Sequence, residues 1–219
     1  MAIVTMVLGN SGEGKSYSLK HLDPKLVGVI NPMNKPLPFR EGKDFVKAAT
    51  SNADAIKKIL VGCKAPIIII DDFQYIMSNE LMSGVPQQYK GDAAFQRYNN
   101  IAYNAWSILM TAINDLPNDK RVYILAHTQE ENGRTRIKTT GKLLDNQIVL
   151  EGMVTTVLQT TVNDDGYFFM TQNNGFTTVK SPEGMLPEML IPNDLNAVDD
   201  AICDYYGIAK NPNQQPEQA

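Results

Sequence analysis

The sequence predicts an α/β fold: a mainly parallel central sheet flanked by helices, with an antiparallel hairpin extension toward the C-terminal end. Three observations carry this. The apolar run Ile3–Leu8 ends at a glycine-rich turn, and the turn gives way to a segment able to continue as a helix, the order strand, loop, helix. Ile67–Ile70 supplies four consecutive β-branched residues between Pro66 and two aspartates, the pattern of a strand buried on both faces of a parallel sheet. Residues 154–162 and 166–171 read as two strands around Asn163-Asp164-Asp165-Gly166, where the Asp-Gly pair is a hairpin signal.

The other elements follow in chain order. Residues 26–31 form a second apolar run, and Pro32, Pro36 and Pro38 rule out a helix through the connection after it. Over residues 45–60, Ala49, Ala53, Ile56, Ile59 and Leu60 recur at near-helical spacing. Thr50, Ser51, Asn52 and Asp54 offer caps, and the helix is expected to end near Gly62. Residues 77–92 are polar and carry Gly84, Pro86 and Gly91, which predicts a flexible or partner-dependent loop. A long helix is expected over 93–116, with Phe95, Tyr98, Ile101, Ala102, Ala105, Leu109, Ala112 and Ile113 near one face. Arg121–Ala126 reads as a strand, residues 130–141 as a polar segment, and residues 197–206 as a terminal helix. Residues 211–219, rich in Pro, Gln and Asn, lack the apolar surface to order themselves. The expected organisation is one domain over 1–208 and a disordered tail over 209–219.

Composition narrows the function classes. With 219 residues, 43% hydrophobic and 20% charged, the chain has the material for one continuous core. A formal net charge of −4 excludes a uniformly basic nucleic-acid binder, while a local basic loop on an acidic body stays compatible with DNA. Cys63 and Cys203 show no CxxC spacing and read as buried free thiols. No stretch approaches the roughly twenty apolar residues of a membrane span, and the first residues enter a strand pattern without a basic leader. A cytoplasmic location without membrane contact is the expectation.

Gly9-Asn10-Ser11-Gly12-Glu13-Gly14-Lys15-Ser16 matches the P-loop pattern, with Tyr17 next, and lies between an apolar run and a helical segment as that chemistry requires. Glycines let successive amides face phosphate oxygens, the helix start adds a positive dipole end, and Lys15 reaches the β- and γ-phosphates. Ser16 offers a hydroxyl oxygen to Mg²⁺, which prefers hard oxygen ligands. Ile67–Ile70 followed by Asp71-Asp72 has the form of a Walker B strand, which assigns Asp71 to the Mg²⁺ shell. Asp72 has two readings: it polarises the attacking water, or it caps the next turn. Arg121–Ala126 continues into His127-Thr128-Gln129, which lies beside Asp71 if the two strands are parallel neighbours. His127 or Gln129 then senses the γ-phosphate or holds the water; otherwise both are solvated loop residues. The implied cofactors are ATP and Mg²⁺.

The chain resembles the RecA-like branch of P-loop ATPases, and more narrowly phage ATP-binding proteins that include Sak-type single-strand annealing ATPases. Beyond the P-loop, the resemblance rests on Asp71-Asp72-Phe73-Gln74-Tyr75, on Gly141-Lys142-Leu143-Leu144-Asp145 leading to Glu151-Gly152, and on Lys180-Ser181-Pro182-Glu183-Gly184-Met185 with Ile191-Pro192-Asn193-Asp194-Leu195. It covers most of residues 2–207. It implies a RecA-like ATPase core in phage recombination or replication that self-associates on single-stranded DNA. It also maps a DNA-contacting loop onto residues 130–142, where Arg134, Arg136, Lys138 and Lys142 supply positive charge for phosphates. That loop has no aromatic residue for base stacking and contains Glu130 and Glu131, so a solvated charged loop is the competing reading. The catalytic glutamate that RecA-like enzymes carry after the second strand is missing from Val29-Ile30-Asn31-Pro32-Met33-Asn34. Either Asp72 replaces it or hydrolysis is slow, and Lys142 or Arg134 is a candidate trans-acting finger.

Two functions from different classes are compatible with these motifs. One is an ATPase coupling nucleotide state to DNA binding or annealing. The other is an ATP-switched loader that meets a helicase or recombinase partner through residues 77–92. A small-molecule kinase fits less well, because no basic lid follows the long helix.

Overall fold

The computed structural model describes residues 1–88 and 90–212, apart from the side chains of Pro86 and Leu143. β1 (Ile3–Leu8) forms as the apolar run requires and stops where Gly9 opens the loop. The segment after the loop is a 3-10 turn, Ser16–His21, and not a longer helix. Its brevity has local causes: Ser18 Oγ donates to the Lys15 carbonyl at 2.6 Å, and Pro24 holds Asp23 in extended backbone, so the chain has no room for further turns.

β2 (Val27–Ile30) precedes the proline-rich connection. The helix expected over 45–60 is two elements, the short edge strand β3 (Val46–Ala48) and α1 (Ala53–Gly62). Asn52 divides them, because its side-chain oxygen accepts from the Ala55 amide at 2.9 Å and starts the helix there. β4 (Ile67–Ile70) is buried along its whole length.

α2 (Gln74–Ser83) occupies much of the segment expected to be a loop. Long-range contacts hold it. Arg97 donates to the carbonyls of Glu80 and Leu81 at its C-terminal end, and Asn104 donates to the Glu80 carboxylate at 2.9 and 3.0 Å. Both partners come from α3 (Asp92–Asn114). In α3 the expected face is buried at Ile101, Ala102, Ala105, Leu109 and Ala112, but Phe95 is 60% exposed.

β5 (Arg121–Ala126) is followed at once by β6 (Thr128–Glu131) and β7 (Arg134–Ile137), so the polar segment is a hairpin. Asn132 (φ 51°) and Gly133 (φ 73°) make its two-residue turn, both left-handed as a type I′ turn demands. The chain continues through α4 (Lys142–Asp145), a 3-10 turn Leu150–Met153, β8 (Thr156–Asn163), β9 (Gly166–Met170), β10 (Leu190–Pro192) and α5 (Leu195–Tyr206). The β8–β9 hairpin and the terminal helix agree with the sequence reading.

The main sheet runs β10-β9-β8-β1-β5-β4-β2-β3. Neighbours from β8 through β3 pair parallel, whereas β8–β9 and β9–β10 pair antiparallel, so the fold is the expected α/β architecture. Alternation along the strands feeds two cores. Met6, Leu8, Ile68 and Ile70 join α1 and α3 on one face, while Val7, Ile67, Ile69 and Leu125 join α5 and Leu19 on the other. The registers Leu8↔Ala126 and Ile70↔Ile124 bring Gly9, Asp71 and His127 out at one carboxyl edge of the sheet, where open α/β sheets hold their ligands.

Cys203 is buried, whereas Cys63 is only half-buried, which corrects the expectation for the latter. Residues 213–219 of the expected tail lie outside the described residues. Among those described, no helix is long and apolar enough to cross a membrane.

Candidate functional site

The loop after β1 is shaped by two left-handed glycines, Gly12 (φ 85°) and Gly14 (φ 88°). Such alternation turns amides toward one concavity. Among the described residues the amides of Gly12, Gly14 and Lys15 make no hydrogen bond within the chain. Glu13 closes the outside of the loop: its carboxylate accepts from the Asn10 amide at 2.7 Å, from Asn10 Nδ2 at 3.0 Å and from Thr160 Oγ1 at 3.0 Å. Gly9 tolerates nothing larger, because a Cβ there would meet Thr160 Oγ1 at 1.7 Å. Lys15 is buried, and its ammonium donates to the carbonyls of Gly9 (2.8 Å) and Asn10 (2.7 Å). Burial pulls its pKa below the ordinary lysine value against the pull of Glu13, Asp72 and Asp71.

Opposite the loop, Ser16 Oγ donates to both oxygens of Asp71, at 2.9 and 3.1 Å, although the two residues are 55 apart in sequence. Burial and then the neighbouring Asp72 raise the Asp71 pKa to about 6. Asp72 behaves differently. Burial opposes its charge, but His127, Lys35 and Gln74 outweigh that and bring it down to about 2. Its partners are Lys35 Nζ at 2.5 Å, Gln74 Nε2 at 3.4 Å and His127 Nε2 at 3.5 Å. Asp72 adopts φ 56°, a strained value for a residue with a side chain. Its carboxylate faces these side chains, so the capping reading finds no support: α2 has no side-chain cap.

These groups surround a cavity of about 560 Å³. Of the residues singled out in the sequence, Ser11, Gly12, Gly14, Lys15, Ser16, Tyr17, Asp71, Asp72 and His127 line it. Gly9, Asn10 and Glu13 hold the loop from behind. Gln129 is not brought in: its side-chain amide donates to Asp145 Oδ2 at 3.2 Å, toward α4. Sequence reasoning missed Lys35, Pro36, Pro38 and Tyr167, all of which line the cavity. The prolines were legible only as helix breakers, and Tyr167 stands on the hairpin strand β9, far from any motif.

No protein-family model matches the sequence, and no curated protein does. Solved structures are similar at a low level, and two of them are viral proteins. One is the P4 protein from bacteriophage phi13, at 11% identity and a TM-score of 0.35 over 77% of this chain; the chain spans 58% of that protein's length. The other is the genome packaging NTPase B204 from Sulfolobus turreted icosahedral virus 2, solved in complex with ATP-gammaS. Its identity is 10% and its TM-score 0.34, over 77% of this chain and 91% of that one.

The β6–β7 hairpin is rooted in this geometry. Thr128 Oγ1 donates to Asn10 Oδ1 at 2.9 Å, and the Lys138 amide donates to the His127 carbonyl at 2.7 Å. Of the basic residues predicted for DNA, Arg134, Lys138 and Lys142 are exposed, whereas Arg136 is engaged by Glu131 at 2.5 Å.

Proposed function

We propose that the chain is a Mg²⁺-dependent ATPase whose nucleotide state is coupled to single-stranded DNA binding or annealing, with ATP held at an interface between copies of the chain. One observation carries the nucleotide reading. A glycine-shaped loop with unpaired amides, a buried ammonium without a carboxylate partner, and the Ser16–Asp71 pair converge on one cavity. Buried ammonium and free amides form an anion site, and the cavity is of the size that small-molecule sites occupy.

Ser16 and Asp71 fit a hard divalent cation, since both present oxygen at one point. Among the described residues no cluster of three or more His, Cys, Asp or Glu forms a fuller cage, which suits Mg²⁺ sharing its shell with phosphate and water. The cation would supply neutralisation of phosphate charge. The chain's residues do the rest. Lys15 and the loop amides bind and orient the triphosphate. Asp72, held by Gln74 and His127 on one oxygen, stands where it can orient a water together with His127.

The β6–β7 hairpin and the chain after it support the DNA part of the proposal, because exposed Arg134, Lys138 and Lys142 follow the strand end that also holds His127. Arg134 and Lys142 are the candidates for a group acting on a neighbouring copy's phosphates. A second reading, an ATP-switched loader for a recombination or replication partner, is favoured by Met82, Val85 and Phe95. These stand 63%, 58% and 60% exposed around the junction of α2 and α3.

The test is a titration with a fluorescent ATP analogue, followed by phosphate release with and without an oligonucleotide. Lys15→Ala is expected to weaken binding by about tenfold to a hundredfold. Unchanged affinity would remove the nucleotide reading, and tight binding with no turnover would move the function to the loader.

A further inference from the structure

We propose that Lys35 is a phosphate-contacting residue supplied in cis, held on Asp72 until a nucleotide bearing a γ-phosphate draws its ammonium across the cavity. The inference rests on the ATP-binding reading and deepens it, by naming a group that separates triphosphate from diphosphate.

Four observations lead there. The first is placement. Buried Asn31, at the end of β2, accepts from the amides of Met33 (3.1 Å) and Lys35 (3.4 Å) and donates to the Lys35 carbonyl (3.1 Å). A fixed turn, with Asn34 left-handed at φ 52°, thus presents Lys35 to the site. The second is freedom. The Lys35 side chain is 50% exposed, and its ammonium has one carboxylate partner and lies 5.1 Å from the centre of the Tyr75 ring. Lys15, by contrast, spends two of its three donors on the root of the loop.

The third observation is charge. Among the described residues, Lys15 and Lys35 are the lysines that line the cavity and no arginine does; Asp71 and Asp72 balance the two. A triphosphate with one divalent cation still carries excess negative charge, and Lys35 is the cation free to move toward it. The fourth is that Asp72 keeps its place without Lys35, because Gln74 and His127 hold its other oxygen. With the Lys35 end of the pair half exposed to solvent, Lys35–Asp72 contributes little to stability.

The experiment compares affinities of the intact chain for a non-hydrolysable ATP analogue and for ADP, each with Mg²⁺, by fluorescence titration. Lys35→Ala is expected to weaken the ATP analogue about tenfold and ADP less than about twofold. Lys35→Gln, which keeps the stem, is expected to do the same. Equal losses for both nucleotides, or no loss for either, would overturn the proposal. A wild-type chain that binds neither nucleotide would instead refute the ATP-binding reading itself.

Discussion

Single residues in the loop separate backbone strain from contact. Gly12 and Gly14 have nearly the same φ, 85° and 88°, but differ in surroundings: space around Gly12 is open, while a Cβ on Gly14 would meet Asn193 Nδ2 at 2.7 Å and Tyr167 Cδ1 at 3.2 Å. Both alanine variants incur left-handed strain of about 1–2 kcal/mol. Gly14→Ala must also displace Asn193, whose amide donates to the Glu13 carbonyl at 3.3 Å. Thermal melts and nucleotide titrations are therefore expected to show a larger loss for Gly14→Ala than for Gly12→Ala; equal losses would mean that the Asn193 contact does not hold the loop. The cysteines give a second check at this scale. Cys203 is buried, and its surroundings, burial first and then Asp199, push its thiol up to about 11. A maleimide at neutral pH should label half-buried Cys63 and spare Cys203, and mass spectrometry of tryptic peptides reads the outcome.

At the level of elements, the hairpin β6–β7 is where charge and geometry meet. If Arg134, Lys138 and Lys142 each meet a DNA phosphate, replacing all three by Gln lowers the slope of log affinity against log salt by about 2 for a single strand. An unchanged slope in salt-titrated anisotropy would take the hairpin out of the DNA surface. That hairpin also shows how far the sequence was legible. Asn132-Gly133 is a strong hairpin signal, but alternating charges on either side lack the apolar rhythm that marks a strand, so the segment reads as a loop. β3 hides for a similar reason, since Val46 is 74% exposed and the strand lies at the sheet edge. α2 depends on Arg97 and Asn104 from another helix, which local pattern does not reveal. β1, β4 and the loop residues were legible because burial on both faces and phosphate-loop geometry each demand particular residues at particular spacings. Lys35 was not, because its approach to Asp72 spans 37 positions and depends on a turn that Asn31 builds from within.

Across the whole molecule, β5 carries two kinds of residue at its two ends. His127 follows its carboxyl end at the cavity. At the other end Arg121, fully buried, donates to both oxygens of fully buried Asp199 at 2.9 and 3.0 Å, while Tyr123 donates to the same carboxylate at 2.6 Å. Asp199 lies on α5, and Arg121 also donates to the carbonyl of Lys210 at 2.8 Å, so one guanidinium ties the central strand to the last helix and to the chain that follows it. A buried pair of this kind adds little over a well-packed apolar pair, yet removing one partner leaves a charge with no compensation, at about 3–5 kcal/mol. Asp199→Ala or Arg121→Met is expected to lower the melting temperature by about 10 °C in a chain of this length. The double variant Arg121→Met with Asp199→Leu should recover part of that loss, since it removes both charges together but leaves the buried Tyr123 hydroxyl without its acceptor. The strand spans roughly 17 Å between its ends, so nucleotide affinity measured well below the melting temperature should be unchanged in the double variant. Calorimetry and titration on the same samples test both halves of the argument. A double variant as unstable as either single one would show that the ion pair specifies how α5 docks, and a fall in nucleotide affinity without loss of stability would show that α5 is coupled to the cavity through β5.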